Sequence, residues 1–217
     1  MTIKKILHPK LEFKNLSYGF FTRKGGCSKP PYDSLNCSFN VEDNQDDVVE
    51  NLKLVCNQLK LEKLIKLNQI HSSKVFVVHN KDNIINNIQA DGLVTKLKGI
   101  GLSILGADCA PILFYDKISE IIGACHAGWR GTINGIIEAT ITSMETLGAK
   151  RNNIISIIGP TIHKESYEIK KDVAHLIKKT EFYKQNRSML LEIRENKYLF
   201  DLPLIIKESL RFSKINN

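Results

Sequence analysis

No stretch of this 217-residue chain reaches the roughly 18 to 20 consecutive apolar residues that a membrane-spanning helix needs. The Lys-rich start, Met1 to Lys10, lacks the apolar core and small-residue cleavage site of a secretory signal, so a cytoplasmic location is expected. There is no Cys-x-x-Cys pair, and the five cysteines (27, 37, 56, 109 and 125) are odd in number. A disulfide framework is therefore not expected, and each cysteine is either a small core hydrophobe or a chemical group. The six histidines include no His-x-His pair, which argues against clusters of several copper ions. The net charge is +8, yet no block of five or more like charges occurs. That scatter fits a solvated basic surface rather than a nucleic-acid interface, which would interleave clustered cations with aromatics. Gly101-x-x-x-x-Gly106 lacks the Lys-Ser/Thr of a phosphate loop. No repeat, low-complexity tract or Ser/Pro-rich linker divides the chain, so a single domain over residues 1–217 is expected.

With 42% apolar and 25% charged residues, the composition is that of an ordinary globular protein with a sizeable core. Tyr18 to Thr22 reads as a strand running into a Gly- and Pro-rich loop, and Asn44 to Leu59 as a helix with acidic residues at its start. Short Ile- and Val-rich runs follow at 65–70, 74–78, 100–105, 112–115 and 121–125, each bounded by turn residues, and read as buried strands. Thr132 to Leu147 is the clearest helix, its apolar residues forming one stripe that ends at Gly148. A strand at 154–158 and helices near 169–179 and 203–212 complete the reading, with Asp201 placed to start the last helix. The expected fold class is α+β: a layered sandwich of mixed β-sheet and helices.

Polar, metal-competent residues gather at the ends of three expected strands: Asn68-Gln69-Ile70-His71, Asp108-Cys109-Ala110-Pro111 and Cys125-His126-Ala127-Gly128-Trp129-Arg130-Gly131. Two imidazoles and a thiolate make a zinc set, and three protein ligands leave a fourth position for water or substrate. Such a site requires the ligand atoms of His71, Cys109 and His126 to converge within about 4 Å. Their spacing matches no zinc finger, and the alternative is two satisfied strand-end histidines beside a core cysteine. Cys125 adjoins His126 on one strand and should face the opposite side, which favours Cys109 as the thiol. Arg23, Lys24, Gly25 and Gly26 combine two cations with a turn whose N–H groups are suited to cradling an anion; a solvated turn is the other reading. Arg130, near an expected helix start, is suited to gripping an anion or orienting the turn by an ion pair. Trp129 is either a stacking platform or core. Asp91 and Asp108 are candidates for fixing a metal-bound imidazole, with turn capping the alternative for Asp91. His79, His163 and His175 read as surface or structural residues.

Taken together, Thr22-Arg23-Lys24-Gly25-Gly26, Pro31-Tyr32-Asp33-Ser34-Leu35-Asn36, Asn68-Gln69-Ile70-His71, Ala90-Asp91-Gly92, Ala107-Asp108-Cys109-Ala110-Pro111, His126-Ala127-Gly128-Trp129-Arg130-Gly131 and Ile158-Gly159-Pro160 resemble the multicopper polyphenol oxidase or laccase-domain family. Its members are described as zinc-dependent purine nucleoside phosphorylases, and some as peptidoglycan editing factors. The resemblance implies that His71, Cys109 and His126 are both metal ligands and catalytic residues, with zinc, or else copper, as cofactor. It implies phosphorolysis of inosine, adenosine, guanosine or methylthioadenosine, with adenosine deamination as a side activity. Arg23 and Arg130 become phosphate-binding candidates, and the partners are purine nucleosides and phosphate rather than nucleic acid or membrane. Two other activities stay open: a Cys-His hydrolase in peptidoglycan editing, with Cys109 as nucleophile, and a copper-dependent oxidoreductase. The family usually continues beyond the position of Asn217, through a Cys-Thr segment and an aromatic-Ser-Tyr-Arg-Arg segment, so the domain is expected to be C-terminally shortened. Ser166 stands before Tyr167-Glu168 where the family often has Cys.

Overall fold

The strands and helices follow from where apolar residues fall along the chain and where polar side chains can stop them. The computed structural model describes residues 3–9, 12–81 and 87–215. The expected domain of 1–217 and the Lys-rich start Met1 to Lys10 reach into residues outside these. β1 (Lys5–Ile6) pairs antiparallel with β2 (Phe20–Phe21), the short core of the expected strand 18–22. α1 (Gln45–Leu59) starts where the Asn44 side chain accepts from the Asp46 N–H and stops at Lys60, which is left-handed at φ 55°. β3 (Lys63–Ile65), β4 (Val75–Val78), β5 (Gly92–Thr95), β6 (Ile100–Leu102), β7 (Ala110–Asp116) and β8 (Ile121–Ala127) follow.

Helices then alternate with the remaining strands. They are α2 (Trp129–Ile133), α3 (Ile136–Thr146), β9 (Ile154–Ile158), β10 (Glu168–Lys170), α4 (Lys171–Lys178), α5 (Glu181–Gln185), β11 (Leu190–Arg194), β12 (Lys197–Phe200) and α6 (Leu202–Phe212). Asp201 accepts from the Leu204 N–H at the start of α6, as its position before Pro203 suggests.

A five-stranded sheet in the order β4-β5-β8-β7-β9 carries the fold; only β4 and β5 run parallel. One face is covered by α3, whose Ile136, Ile137, Thr140, Ile141 and Met144 are all buried. Gly123 of β8 allows that approach, since a Cβ there would stand 2.9 Å from the Met144 sulfur. The parallel pair β3–β6 has its own apolar cluster of Ile65, Val78, Leu93 and Ile100. The sheet β10-β12-β11 and α6 extend the main core through Ile169, Tyr198, Phe200, Ile205 and Ile206. The whole is a mixed, layered α+β domain, as expected. No helix among the described residues is long and apolar enough to cross a membrane.

Several boundaries differ from the sequence reading. The expected strand 65–70 is regular only over Lys63–Ile65, because Gln69 turns its side chain to the Leu105 backbone, donating to O at 2.9 Å and accepting from N at 2.8 Å. The expected helix 132–147 is two helices broken at Asn134-Gly135, where Gly135 has φ +87°. The expected helix 169–179 begins as strand β10.

Candidate metal centre

Two of the three candidate ligands sit at strand ends and the third lies within a loop. His126 is the penultimate residue of β8 and lies opposite Pro111 of β7. Cys109 immediately precedes β7, and His71 lies in the loop between β3 and β4. Two residues of these loops are left-handed without being glycine, His71 at φ 57° and Asp108 at φ 74°. Such backbone persists only where the surroundings hold it. The His71 N–H donates to Asp91 Oδ1 at 2.9 Å, and the Asp108 carbonyl accepts from the Ile162 N–H at 2.8 Å and the Thr161 hydroxyl at 2.6 Å.

The ligand atoms of His71, Cys109 and His126 all lie within 4.8 Å of one another. The two imidazole rings meet edge to face, their centroids 4.8 Å apart. This is wider than the roughly 4 Å of a closed tetrahedral cage, but the set of two nitrogens and one sulfur suits zinc or copper. His126 is buried, Cys109 half-buried and His71 exposed, so the cluster opens toward solvent on the His71 side. Gly128 completes the cradle: a Cβ there would lie 2.7 Å from the Cys109 sulfur and 3.4 Å from His71 Cδ2. The residues present therefore fit one metal ion with an open side. Cys125 is turned away into the core, fully buried, with its thiol pushed up to about 12 by burial despite a hydrogen bond with Thr140.

Asp91, fully buried just before β5, backs the cluster. It accepts from the main chain of Ile70, His71 and Ser72 and from the Ser72 hydroxyl, and it meets His126 Nδ1 at 3.0 Å. Burial alone would raise its carboxyl, but these hydrogen bonds, that of His126 foremost, hold it below the usual carboxylate range. Burial pushes the His126 imidazole down, and its hydrogen bond to Asp91 opposes this without cancelling it. Burial, and then the charges of Asp108 and Asp91, push the Cys109 thiol up. A cation is what would reverse that and favour a thiolate.

Neither arginine proposed to hold an anion belongs to the ligand cluster itself. Arg23 is exposed and tied within its own loop, donating from Nε to the Asp33 carbonyl at 2.7 Å and pairing with the Asp33 carboxylate at 3.2 Å. The Gly25 and Gly26 N–H groups both donate to Ser34 Oγ, so this turn does not hold them free as an anion cradle. Arg130 lies in the first turn of α2, two residues past Gly128, with its guanidinium 5.1 Å from the Trp129 ring centre. Among the described residues no carboxylate pairs with it, so an ion pair does not explain its position. Trp129 packs partly against the main core. His79, His163 and His175 are exposed and outside the cluster. Tyr167, not singled out in the sequence, is half-buried near enough to feel Cys109 and Asp108: burial and those two groups push its phenol up. Its only sequence signal was its place in Ser166-Tyr167-Glu168.

A His/Cys/His cluster formed by two strand ends of a mixed sheet and the loop before β4, open on one side, defines a site able to hold one metal ion. Residues 17–217 match the family described as multi-copper polyphenol oxidoreductase laccase, and the chain belongs to that family. Its relatives carry another name. It is 33% identical over 204 residues to purine nucleoside phosphorylase RP494 of Rickettsia prowazekii, covering 94% of this chain and 81% of that protein. It is 39% identical to a purine nucleoside phosphorylase of Deinococcus radiodurans, over 76% of this chain and 65% of the relative. Among solved structures, protein NMB0706 of Neisseria meningitidis superposes with a TM-score of 0.86 at 28% identity, covering 99% of this chain and 85% of that one. The Bacillus licheniformis protein YfiH gives a TM-score of 0.84 at 30% identity, over 92% and 78% of the two chains.

Proposed function

We propose that this chain is a zinc-dependent purine nucleoside phosphorylase, formed as one cytoplasmic domain over residues 1–217, with adenosine deamination as a side activity. His71, Cys109 and His126 hold the metal, and Arg23 and Arg130 hold phosphate. The observation that carries this reading is the convergence of the three ligand atoms within 4.8 Å on a side open to solvent. The names of the relatives support the substrate class, purine nucleosides with phosphate, of which inosine, adenosine, guanosine and methylthioadenosine are the candidates.

Held by His71, Cys109 and His126, a zinc ion would supply Lewis-acid chemistry suited to orienting phosphate and to activating water toward C6 of adenine. The chain's own residues do the rest. In phosphorolysis a phosphate oxygen bonds to ribose C1′ while the glycosidic bond to the purine breaks, and the departing base takes a proton. Arg130, exposed two residues past Gly128 and without a carboxylate partner among the described residues, is our candidate to hold the phosphate charge. Arg23 would have to exchange Asp33 for phosphate, an exposed pair of little strength. Burial and the charges of Asp108 and Asp91, which push the Cys109 thiol up, make it a poor free nucleophile without a cation beside it, which weighs against a metal-free hydrolase.

Metal analysis of the purified protein, followed by phosphate-dependent release of hypoxanthine from inosine, tests the proposal. Cys109→Ala should remove most of the metal and nearly all phosphorolysis together, and chelation should reproduce that loss until zinc is restored. Activity that survives chelation but not thiol alkylation would replace this reading with the Cys-His hydrolase. Stoichiometric copper with oxidase activity would replace it with the oxidoreductase. Arg130→Ala should lower phosphorolysis by roughly 10²-fold while largely sparing deamination, since one reaction alone uses phosphate. Equal damage to both would remove its phosphate role.

A further inference from the structure

One buried carboxylate joins the two histidines of the cluster through separate elements. Asp91 is 0% exposed and has both oxygens occupied by donors. Oδ2 accepts from the Ser72 N–H at 2.6 Å, the Ser72 hydroxyl at 2.8 Å and the Ile70 N–H at 3.2 Å. Oδ1 accepts from the His71 N–H at 2.9 Å and faces His126 Nδ1 at 3.0 Å. Its main chain repeats the link, donating from N to the Lys74 carbonyl at 3.0 Å and accepting from the His126 N–H at 2.8 Å. Four of the five side-chain contacts come from groups that donate at this site and so favour the carboxylate; the single acceptor a proton on Asp91 could meet is His126 Nδ1, at the cost of those four donors' charge-assisted bonds. The carboxylate is therefore ionised and can only accept. The fifth contact then requires a hydrogen on His126 Nδ1, which leaves Nε2 with the lone pair.

We propose that Asp91 is the positioning residue of this centre: it locks His126 as the Nδ1–H tautomer, presents Nε2 to the metal, and holds the left-handed loop that carries His71. The role at the metal rests on the reading of His71, Cys109 and His126 as ligands; the tautomer does not. Asp91 touches neither the metal nor substrate. It acts by fixing the rings and by placing a negative charge behind one of them, which raises that ligand's basicity. The geometry has a second consequence. Because the same carboxylate serves both histidine-bearing segments, its loss should loosen His71 and His126 together rather than one alone.

Two measurements test this. In metal-free wild-type protein labelled with ¹⁵N, long-range ¹H–¹⁵N correlation should show His126 with a protonated Nδ1 and a pyridine-like Nε2. After loading with ¹¹³Cd, the metal coupling should fall on Nε2 of the same residue. In Asp91→Asn the pattern should turn to the Nε2–H tautomer or a mixture, and zinc affinity, read by competition with a chromophoric chelator, should fall about 10- to 100-fold. A wild-type His126 protonated at Nε2 overturns the proposal even if Asp91→Asn fails to fold. So does a folded Asp91→Asn protein that binds zinc within about twofold of wild type. Wild type that shows the Nδ1–H tautomer but binds neither zinc nor cadmium keeps the orienting role of Asp91 and overturns the metal assignment instead.

Discussion

Gly128 and Cys125 show how much of this site is decided by single atoms. Gly128 has φ −81°, a conformation any residue adopts, so its backbone does not demand glycine. The space does, because a Cβ would press on the Cys109 sulfur at 2.7 Å. We expect Gly128→Ala to fold with a nearly unchanged melting temperature, and to bind zinc at least about tenfold more weakly as the thiol is displaced. Calorimetric zinc titration beside a thermal melt checks this, and undiminished affinity would show that Cys109 has room to move. Cys125 is the counterpart, one residue from His126 yet on the helix-facing side of the sheet. Cys125→Ala should leave zinc stoichiometry unchanged and cost about 1 kcal/mol of stability through the small cavity it opens. Loss of metal in that variant would transfer the ligand role from Cys109 to Cys125.

The break between α2 and α3 makes a prediction for an element. Gly135 sits at φ +87° with nothing within 4 Å of where a Cβ would go. Gly135→Ala should therefore cost about 1 to 2 kcal/mol by conformation alone, measured by urea unfolding, with zinc binding unaffected. A neutral effect would mean the two helices can merge into one. The same break marks where sequence reading stopped. An unbroken apolar stripe through Ile133, Ile136, Ile137 and Ile141 reads as one helix, and a single glycine is weak evidence against it. β7, β8 and β9 were legible as Ile- and Val-rich runs bounded by turn residues, and α6 by Asp201 and Pro203 at its start. β5 was not: Gly92 opens and Thr95 closes its four residues, leaving Leu93-Val94 too short an apolar run to read. The hairpin β11–β12 was missed for the opposite reason. Leu191 and Ile193 are exposed, interleaved with Glu192 and Arg194, and the turn rests on Asn196 at φ 63° rather than on a glycine. The ligand candidates were visible as residue types at strand ends, but the convergence of His71 on Cys109 and His126 depends on chain pairings far apart in sequence. Asp91 was visible only as one of two readings. No pattern in a strand announces a carboxylate shared by two loops.

For the whole molecule, the buried ionisable groups set a pH window for the metal-free protein. The His126 imidazole is lowered from 6.5 by burial, so the unfolded chain binds its proton first as pH falls. Its contribution is fully present above 6.5 and is lost as pH drops from there toward the folded value. Asp91 and Asp116 are both held below 3.8: burial opposes this in each, but hydrogen bonds win, from His126 and Ser72 to Asp91 and from the Ser119, Lys150 and Ile118 N–H groups to Asp116. Their stabilisation persists above 3.8 and is lost as pH falls through their folded values, giving a second, steeper acid limb. The thiols act on the other side. Burial raises Cys125 from 9.0 to about 12 and Cys37 to about 11, and Cys109 is raised in the same sense. For a raised acid the stability is complete below 9.0 and fades as pH climbs, since the unfolded chain ionises first. The signs agree on a plateau between 6.5 and 9.0 with stability falling to either side. Urea unfolding of chelator-treated protein across that range checks it. A stability that keeps rising above 9.0 would mean the thiols are not buried as described. A flat profile through 6.5 would mean that His126 is protonated as readily in the folded protein as in the unfolded chain.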